Sequence, residues 1–287
     1  MGSLVLMATS AVRVAVCVVT FERPQYLSRC VEQIARQRDL SQIDVIIVDD
    51  STSSCKGAVE AGLGCSLEEY LRPARLVYDY SVERRTIGAK RTRGLSLAAD
   101  LGCEVIATWD DDDVYGDDRV AAQAAPIIAG DADATLATPE AWRWETDDAS
   151  VAMSWGNAPA KLAAAIDPRC ELGLELVDEA IASLCFRVSL AADLKYPDLS
   201  YDEDRLFFAD LKRRRRPRCR RLPPGRPSYV HVKHPSAAAA GPLTRLYAAN
   251  LGVLASPAVA LPLVLSAVFG ASRLVAGLGR VLIDLPR

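Results

Sequence analysis

Val105-Ile106-Ala107-Thr108-Trp109 runs directly into Asp110-Asp111-Asp112-Asp113-Val114-Tyr115, and the fold turns on this stretch. An apolar run of that length, rich in β-branched side chains, predicts a buried strand, and four carboxylates at its end are expected outside the core. Like charges packed so closely raise one another's pKa unless a cation shares the site. Oxygen-only ligands at a strand end suit a hard divalent ion such as Mg2+ or Mn2+. The competing reading is an acidic, solvated turn leading into a helix, with Asp117 and Asp118 as N-terminal caps.

Upstream, the same pattern of strand followed by polar residues recurs. Arg13 to Thr20 is a β-branched run ending at Phe21-Glu22-Arg23-Pro24. From Gln25 to Gln37, Leu27, Val31 and Ile34 recur at helical spacing, which predicts a helix returning across a sheet. Asp44 to Val48 is a second buried strand, ending in Asp49-Asp50-Ser51-Thr52. Strand, helix and strand within about forty residues predict a right-handed βαβ unit with parallel strands. Arg75 to Tyr80 reads as a further short strand, and Gly88 to Leu101 as a helix with Leu95, Ala98 and Leu101 on one face. Each connection puts polar residues just after a strand, where open α/β sheets bind ligands.

Downstream the pattern is less regular. Ala134 to Ala137, Trp142 to Glu145 and Val151 to Trp155 read as strands of a mixed extension, and Ile181 to Arg187 as another apolar strand. Asp204 to Lys212 places Leu206, Phe207 and Leu211 on a helical stripe. No internal repeat is found.

Composition narrows the class. A chain of 287 residues, half of them hydrophobic, can bury a large core as one domain or two. A charged fraction of 25% is ordinary and indicates neither wholesale disorder nor a polytopic membrane protein. The net charge of -3 hides an asymmetry, because Lys212 to Arg221 alone carries eight basic residues. The eight cysteines show no CxxC spacing and do not cluster with the two histidines, which points to reduced, buried thiols and away from a zinc site or disulfide framework. The N-terminal apolar run is short and no basic segment precedes it, so a secretory signal is not expected. The expectation is a reducing, cytoplasmic environment.

Taken in order, these segments resemble the family 2 glycosyltransferases of the GT-A fold. The resemblance is carried by Val18-Val19-Thr20-Phe21 at the end of the opening strand, Val48-Asp49-Asp50-Ser51 for VDDxS, and Gly88-Ala89-Lys90-Arg91-Thr92-Arg93-Gly94 for a GxxxARNxG-like segment. Asp110-Asp111-Asp112 stands for the DxD, Glu203-Asp204 for a late acidic pair at a helix start, and Lys233-His234 for a basic residue followed by histidine. The resemblance covers residues 12 to 236. Thr92 replaces the usual Asn, and four consecutive aspartates leave the DxD register open by one residue.

The resemblance implies a GT-A fold, a Rossmann-like, mostly parallel mixed sheet flanked by helices. It also implies inverting, metal-dependent transfer of a sugar from a nucleotide-diphosphate donor, a UDP-sugar, to an acceptor hydroxyl. Asp112 and His234 would hold the Mn2+ or Mg2+, while Asp110 or Asp111 would hold the ribose. Lys90 and Arg91 would meet the diphosphate, since ammonium and guanidinium groups pair with phosphate oxygens. Asp50 would accept the uracil imide N–H, as a carboxylate offers only acceptors. Thr20, Phe21 and Arg23 would line the same base and ribose pocket. Asp204, with Glu203 beside it, would be the general base for the acceptor. Plainer readings stand beside these: turn residues for Asp49-Asp50, a solvated helix start for Lys90 and Arg91, and helix capping for Asp204.

Two further segments concern partners. No aromatic residue interleaves Lys212 to Arg221, so nucleic acid is disfavoured for want of a stacking platform and anionic lipid headgroups fit better. Residues 237 to 287 form an apolar tail whose stretch Leu246 to Ser272 carries no charge and is broken by Pro257 and Pro262. It predicts a membrane-associated or packed apolar helix on the cytoplasmic face. Two rival functions remain at this stage. A nucleotidyltransferase would show a Gly-rich phosphate loop early in the chain, absent from Val18 to Pro24, and a non-catalytic sugar-binding protein would not need Asp112, Asp204 and His234 together.

Overall fold

Alternation along the first strand organises the molecule. In the protein, a computed structural model describing residues 12–145, 150–154, 179–225 and 227–233, β1 spans Val14–Thr20 and is buried throughout. Val14, Val16 and Val18 face one side, where α1 (Pro24–Ala35) packs Leu27, Val31 and Ile34 against them. Ala15, Cys17 and Val19 face the other side. There α4 (Ile87–Asp100) contributes Leu95 and Ala98, and α6 (Glu203–Arg215) contributes Phe207, Phe208 and Leu211. Successive side chains of a strand point to opposite faces, so a strand covered on both sides must be apolar at every position. The result is a sheet between two helical layers.

β2 (Ile43–Asp49), β3 (Arg75–Tyr80) and β4 (Val105–Asp110) join β1 in parallel. The remaining strands of this sheet are β6 (Ala134–Ala137), β9 (Cys185–Arg187) and β10 (Cys219–Leu222). The order is β10-β6-β9-β4-β1-β2-β3, with β9 antiparallel to both its neighbours. The chain builds outward from β1 through β2 to β3, then crosses back to lay β4 on β1's other side. That reversal between β1 and β4 is the switch point at which open α/β sheets take ligands. A smaller sheet, β5-β11-β7-β8, combines β5 (Val114–Tyr115), β7 (Ala141–Glu145), β8 (Ser150–Ser154) and β11 (Tyr229–Lys233).

The structure corrects several expectations. Only Cys185–Arg187 of the expected strand 181–187 is extended, because Glu179–Ser183 forms a 3-10 turn. A short apolar run has no periodicity to separate the two forms, and here Thr108 Oγ1 holds the turn by donating to the carbonyls of Ala182 and Leu184. Leu206 is exposed, and Phe208 takes the place on the buried stripe of α6 that was expected for it. Helices α2 (Cys55–Leu63) and α3 (Leu67–Tyr70), and α5 (Arg119–Ile128) beyond the acidic turn, complete the layers. Asp118 stands at the N-cap of α5 but makes no side-chain capping bond.

Seven of the eight cysteines lie in the described residues, all as free thiols, and five of them are buried. Among the described residues no helix is long and apolar enough to cross a membrane; the apolar tail 237–287 lies outside them, as do Trp155 and His234.

Candidate functional site

Strand register builds the site. Thr20 is the partner of Asp49 on one side, and its predecessor Val19 is the partner of Asp110 on the other. The loops after β1, β2 and β4 therefore start at one level, and their polar residues meet in three linked clusters.

The first cluster surrounds Asp50, a carboxylate only 1% exposed. Lys90 Nζ donates to it at 2.7 Å and to the carbonyl of Thr20 at 2.8 Å. Arg84 Nη1 donates to both of its oxygens, at 2.8 and 2.7 Å, and the backbone N–H of Arg85 adds a bond of 2.7 Å. The Arg84 guanidinium also lies 3.3 Å from the centre of the Phe21 ring. Burial lowers the pKa of Lys90, opposed by its bond to Asp50. Asp49 points elsewhere: it accepts from the N–H groups of Ser51 and Cys55 and from Tyr78 Oη, so it ties β2 to the start of α2 and to β3. Of this acidic pair, one member is structural and the other faces the site.

The second cluster joins β1 to the acidic turn. Thr20 Oγ1 donates to Asp111 at 2.7 Å, and Arg23 Nη1 reaches Asp111 at 3.2 Å and Asp112 at 3.1 Å. Arg23 thus sits on Asp111 and Asp112. Burial first, then the neighbouring charge of Asp112, pushes Asp111 up to about 7.

The third cluster links sheet to helix. Arg91, 6% exposed, donates to Asp110 at 2.7 Å and to Glu203 at 3.1 Å, bridging the end of β4 to the first turn of α6. Burial raises the pKa of Glu203, with Arg91 acting against it. Asp204 is the next residue, only partly buried, and accepts from the N–H of Arg205. Just before α6, Asp202 adopts a left-handed conformation and pairs with Arg205. Lys90 and Arg91, expected to face a diphosphate, thus have carboxylate partners within the chain.

Asp113 overturns the expectation that all four aspartates lie outside the core. It is 1% exposed. Its carboxylate accepts from Tyr115 Oη and Tyr229 Oη, both at 3.0 Å, and from the N–H of Val232 at 2.8 Å, with His231 Nδ1 3.0 Å away. Gln33 on α1 steadies the same turn, donating to the Asp113 carbonyl and accepting from the Tyr115 N–H. Sequence reasoning missed Gln33, Arg84 and His231. A glutamine on the apolar face of α1 and a histidine between valines in β11 were signals for Gln33 and His231, the anchors of this turn; nothing in the spacing marked Arg84.

A sequence model of glycosyl transferase family 2 matches residues 15–165. The chain belongs to glycosyl transferase family 2. Among solved structures, S. aureus TarS matches with a TM-score of 0.53 at 17% identity, over 78% of this chain and 37% of that one. The crystal structure of TarS 1-349 in complex with UDP-GlcNAc gives 0.53 at 18% identity, over 77% and 58%. The complex with UDP gives 0.53 at 19%, over 78% and 61%. At such identities the likeness shows the GT-A fold alone, and this chain spans less than two thirds of the length of those TarS chains. A comparison with curated protein sequences gives no match.

Two glycines of the family 2 segment 88–94 have a steric reason. A Cβ on Gly94 would fall 2.1 Å from Cys17 Sγ, so its absence lets α4 lie close on β1. A Cβ on Gly88 would fall 1.8 Å from the Pro197 carbonyl oxygen. Gly88 N–H donates to the Leu199 carbonyl at 2.8 Å, joining the start of α4 to the loop that leads into α6. Thr92, in place of Asn, accepts from the Tyr196 N–H at 3.0 Å and holds that same loop.

Proposed function

We propose that this family 2 chain transfers a sugar from a nucleotide-diphosphate donor, a UDP-sugar, to an acceptor hydroxyl with inversion at the anomeric carbon. The observation that carries the reading is the common level at which the loops holding Thr20, Asp50 and Asp110 to Asp112 start at the switch point, with Arg91 tying Asp110 to Glu203, the chain neighbour of Asp204. The TarS 1-349 structures in complex with UDP-GlcNAc and with UDP support the donor class.

In this reading Asp50 accepts from the imide N–H of the base, which stacks on Phe21, and Asp110 or Asp111 holds the ribose. Asp204 takes the proton of the acceptor hydroxyl as that oxygen bonds to the anomeric carbon. The bond from that carbon to the diphosphate oxygen breaks, and its electron pair leaves with the diphosphate. Glu203 is engaged by Arg91, which leaves Asp204 as the more accessible carboxylate of the pair.

The acidic turn fits a hard divalent ion. Its donors are carboxylate oxygens, and the charge of Asp112 adds to the burial that raises the pKa of Asp111. Among the described residues no group of three His, Cys, Asp or Glu side chains is set to enclose a metal. Mg2+- and Mn2+-type sites use one or two carboxylates together with substrate phosphates, so Asp112 is the proposed protein ligand. Asp112 would hold the ion, which would neutralise charge on the leaving diphosphate.

Calorimetric titration of the purified protein with UDP and Mn2+ tests the reading, alongside a panel of nucleotide sugars scored for nucleotide release. Metal-dependent UDP binding that Asp112→Ala abolishes in a folded domain is the expected result. UDP binding indifferent to EDTA, or unchanged in Asp112→Ala, removes the metal from the account; no nucleotide release from any donor removes the transferase.

A further inference from the structure

Arg119, the first residue of α5, is wholly buried, and nothing in the reading above uses it. Among the described residues it forms no ion pair, and its Nη1 is a buried donor with no hydrogen-bond partner. Burying a guanidinium in that state is costly, and stacking on aromatic faces offsets the cost only in part. What it touches accounts for its place. Nη2 donates to the Thr108 carbonyl, and Nε to Gln123 Oε1 at 3.0 Å. The guanidinium carbon lies 4.5 Å from the centre of the Trp109 ring and 3.6 Å from that of Tyr115, and the two ring centres are 4.7 Å apart in an edge-on contact.

Thr108 and Trp109 stand just before the four aspartates, and Tyr115 follows them after Val114. Arg119 therefore grips the chain on both sides of the acidic turn, from the core that Trp109 and Tyr115 share. Gln33 adds a second hold, on the Asp113 carbonyl and the Tyr115 N–H. A turn pinned at both ends sends its side chains in fixed directions. We infer that Arg119 is a positioning residue: by holding Thr108, Trp109 and Tyr115 it keeps the turn in the shape that presents Asp112 to a divalent ion and the donor diphosphate. The inference rests on the proposed role of Asp112. Neither lysine nor methionine can take over this hold. Lysine keeps the charge but has no plane to lay on two rings while donating to two acceptors, and methionine keeps the length but loses every donor.

Calorimetric titration of the full chain with UDP at fixed Mn2+ reads the consequence. Arg119→Lys and Arg119→Met are expected to bind about ten-fold more weakly than the parent, the usual cost of losing a group that orients a metal-binding side chain. Excess Mn2+ is expected to restore their UDP affinity, because the ion site is weakened and the rest of the donor site is intact. Ile127→Ala, about two turns further along α5, opens a cavity in the core and is expected to lower Tm with UDP affinity unchanged. Where Arg119→Met is not recovered folded, Arg119→Lys decides alone, since it keeps a buried cation. Variants that melt lower but bind UDP and Mn2+ like the parent make Arg119 a core residue only, and overturn the inference while the proposed function stands. A loss of affinity that Ile127→Ala shares, or that excess Mn2+ does not relieve, overturns it too. UDP binding by the parent that ignores Mn2+ removes the metal from Asp112 and the inference with it.

Discussion

Arg91→Gln removes the cation that joins β4 to α6. The guanidinium serves Asp110 at 2.7 Å and Glu203 at 3.1 Å, and Arg91 and Glu203 are almost fully buried. Breaking a buried ion pair by removing one partner costs about 3–5 kcal/mol, because a charge is left without compensation. Two features of this site set the lower end. Asp110 is partly exposed, and the carboxyl of Glu203, already raised by burial, escapes by taking up a proton. A loss of about 3 kcal/mol at pH 7.5 follows, which lowers Tm by about 6–12 °C for a domain of this size. A carboxyl whose folded-state pKa lies above its unfolded value destabilises at high pH and is relieved as pH falls. The deficit of the variant is therefore expected to shrink between pH 7.5 and 5, and Arg91→Gln/Glu203→Gln is expected to recover part of it. Thermal and urea melts at both pH values measure this. A variant that melts within a degree of the parent at pH 7.5 refutes the bridge as the tie between sheet and helix.

Asp204→Asn leaves the N-cap Asp202 in place and keeps the size of the side chain in the first turn of α6, and is expected to lower kcat by about 10²-fold with UDP-sugar affinity and Tm little changed; near-parental turnover in a steady-state assay would refute Asp204 as the base. At the opposite end of the sheet, Arg13 and Arg75 hold Asp44 at a pKa of about 2 against the burial that would raise it. That depressed value gives stability present above pH 4 and lost as pH falls towards 2, so Asp44→Asn is expected to lose about 1–2 kcal/mol at pH 7 and to flatten the acid limb in melts from pH 5 to 2. Deleting residues 246–287 is expected to move the protein from liposomes containing anionic lipid to the soluble fraction; a full chain that floats free of such liposomes refutes membrane contact. Several arginines of the preceding basic run are already paired, Arg214 and Arg215 with Asp193 and Arg218 with Asp133, so the uncharged stretch is expected to carry most of that binding.

How much was legible in the sequence depended on whether a property was periodic. Strands buried on both faces must be apolar at every position, so β1, β2 and β4 stood out, and with them the polar residues that follow each strand. The order of those segments was enough to suggest the family and the switch-point site. Elements with no such signature were lost: residues 181–187 divide between a turn and a strand, and Leu206 and Phe208 exchange places because one turn of a helix fixes its facing direction only through what it packs against.

Among identical neighbours, tertiary structure alone made the choice. Asp49 ties β2 to α2 while Asp50 faces the site; Asp113 anchors β11 while Asp111 and Asp112 meet Arg23. A run of aspartates has one composition, but each backbone position sends its carboxylate in a different direction. Burial then gives each its partners: tyrosines, a histidine and a backbone N–H for Asp113, a threonine and an arginine for Asp111. Arg84 shows the limit most plainly. Its place over Phe21 and on Asp50 joins residues from three separate connections, and only the register of β1, β2 and β3 brings those connections to one level.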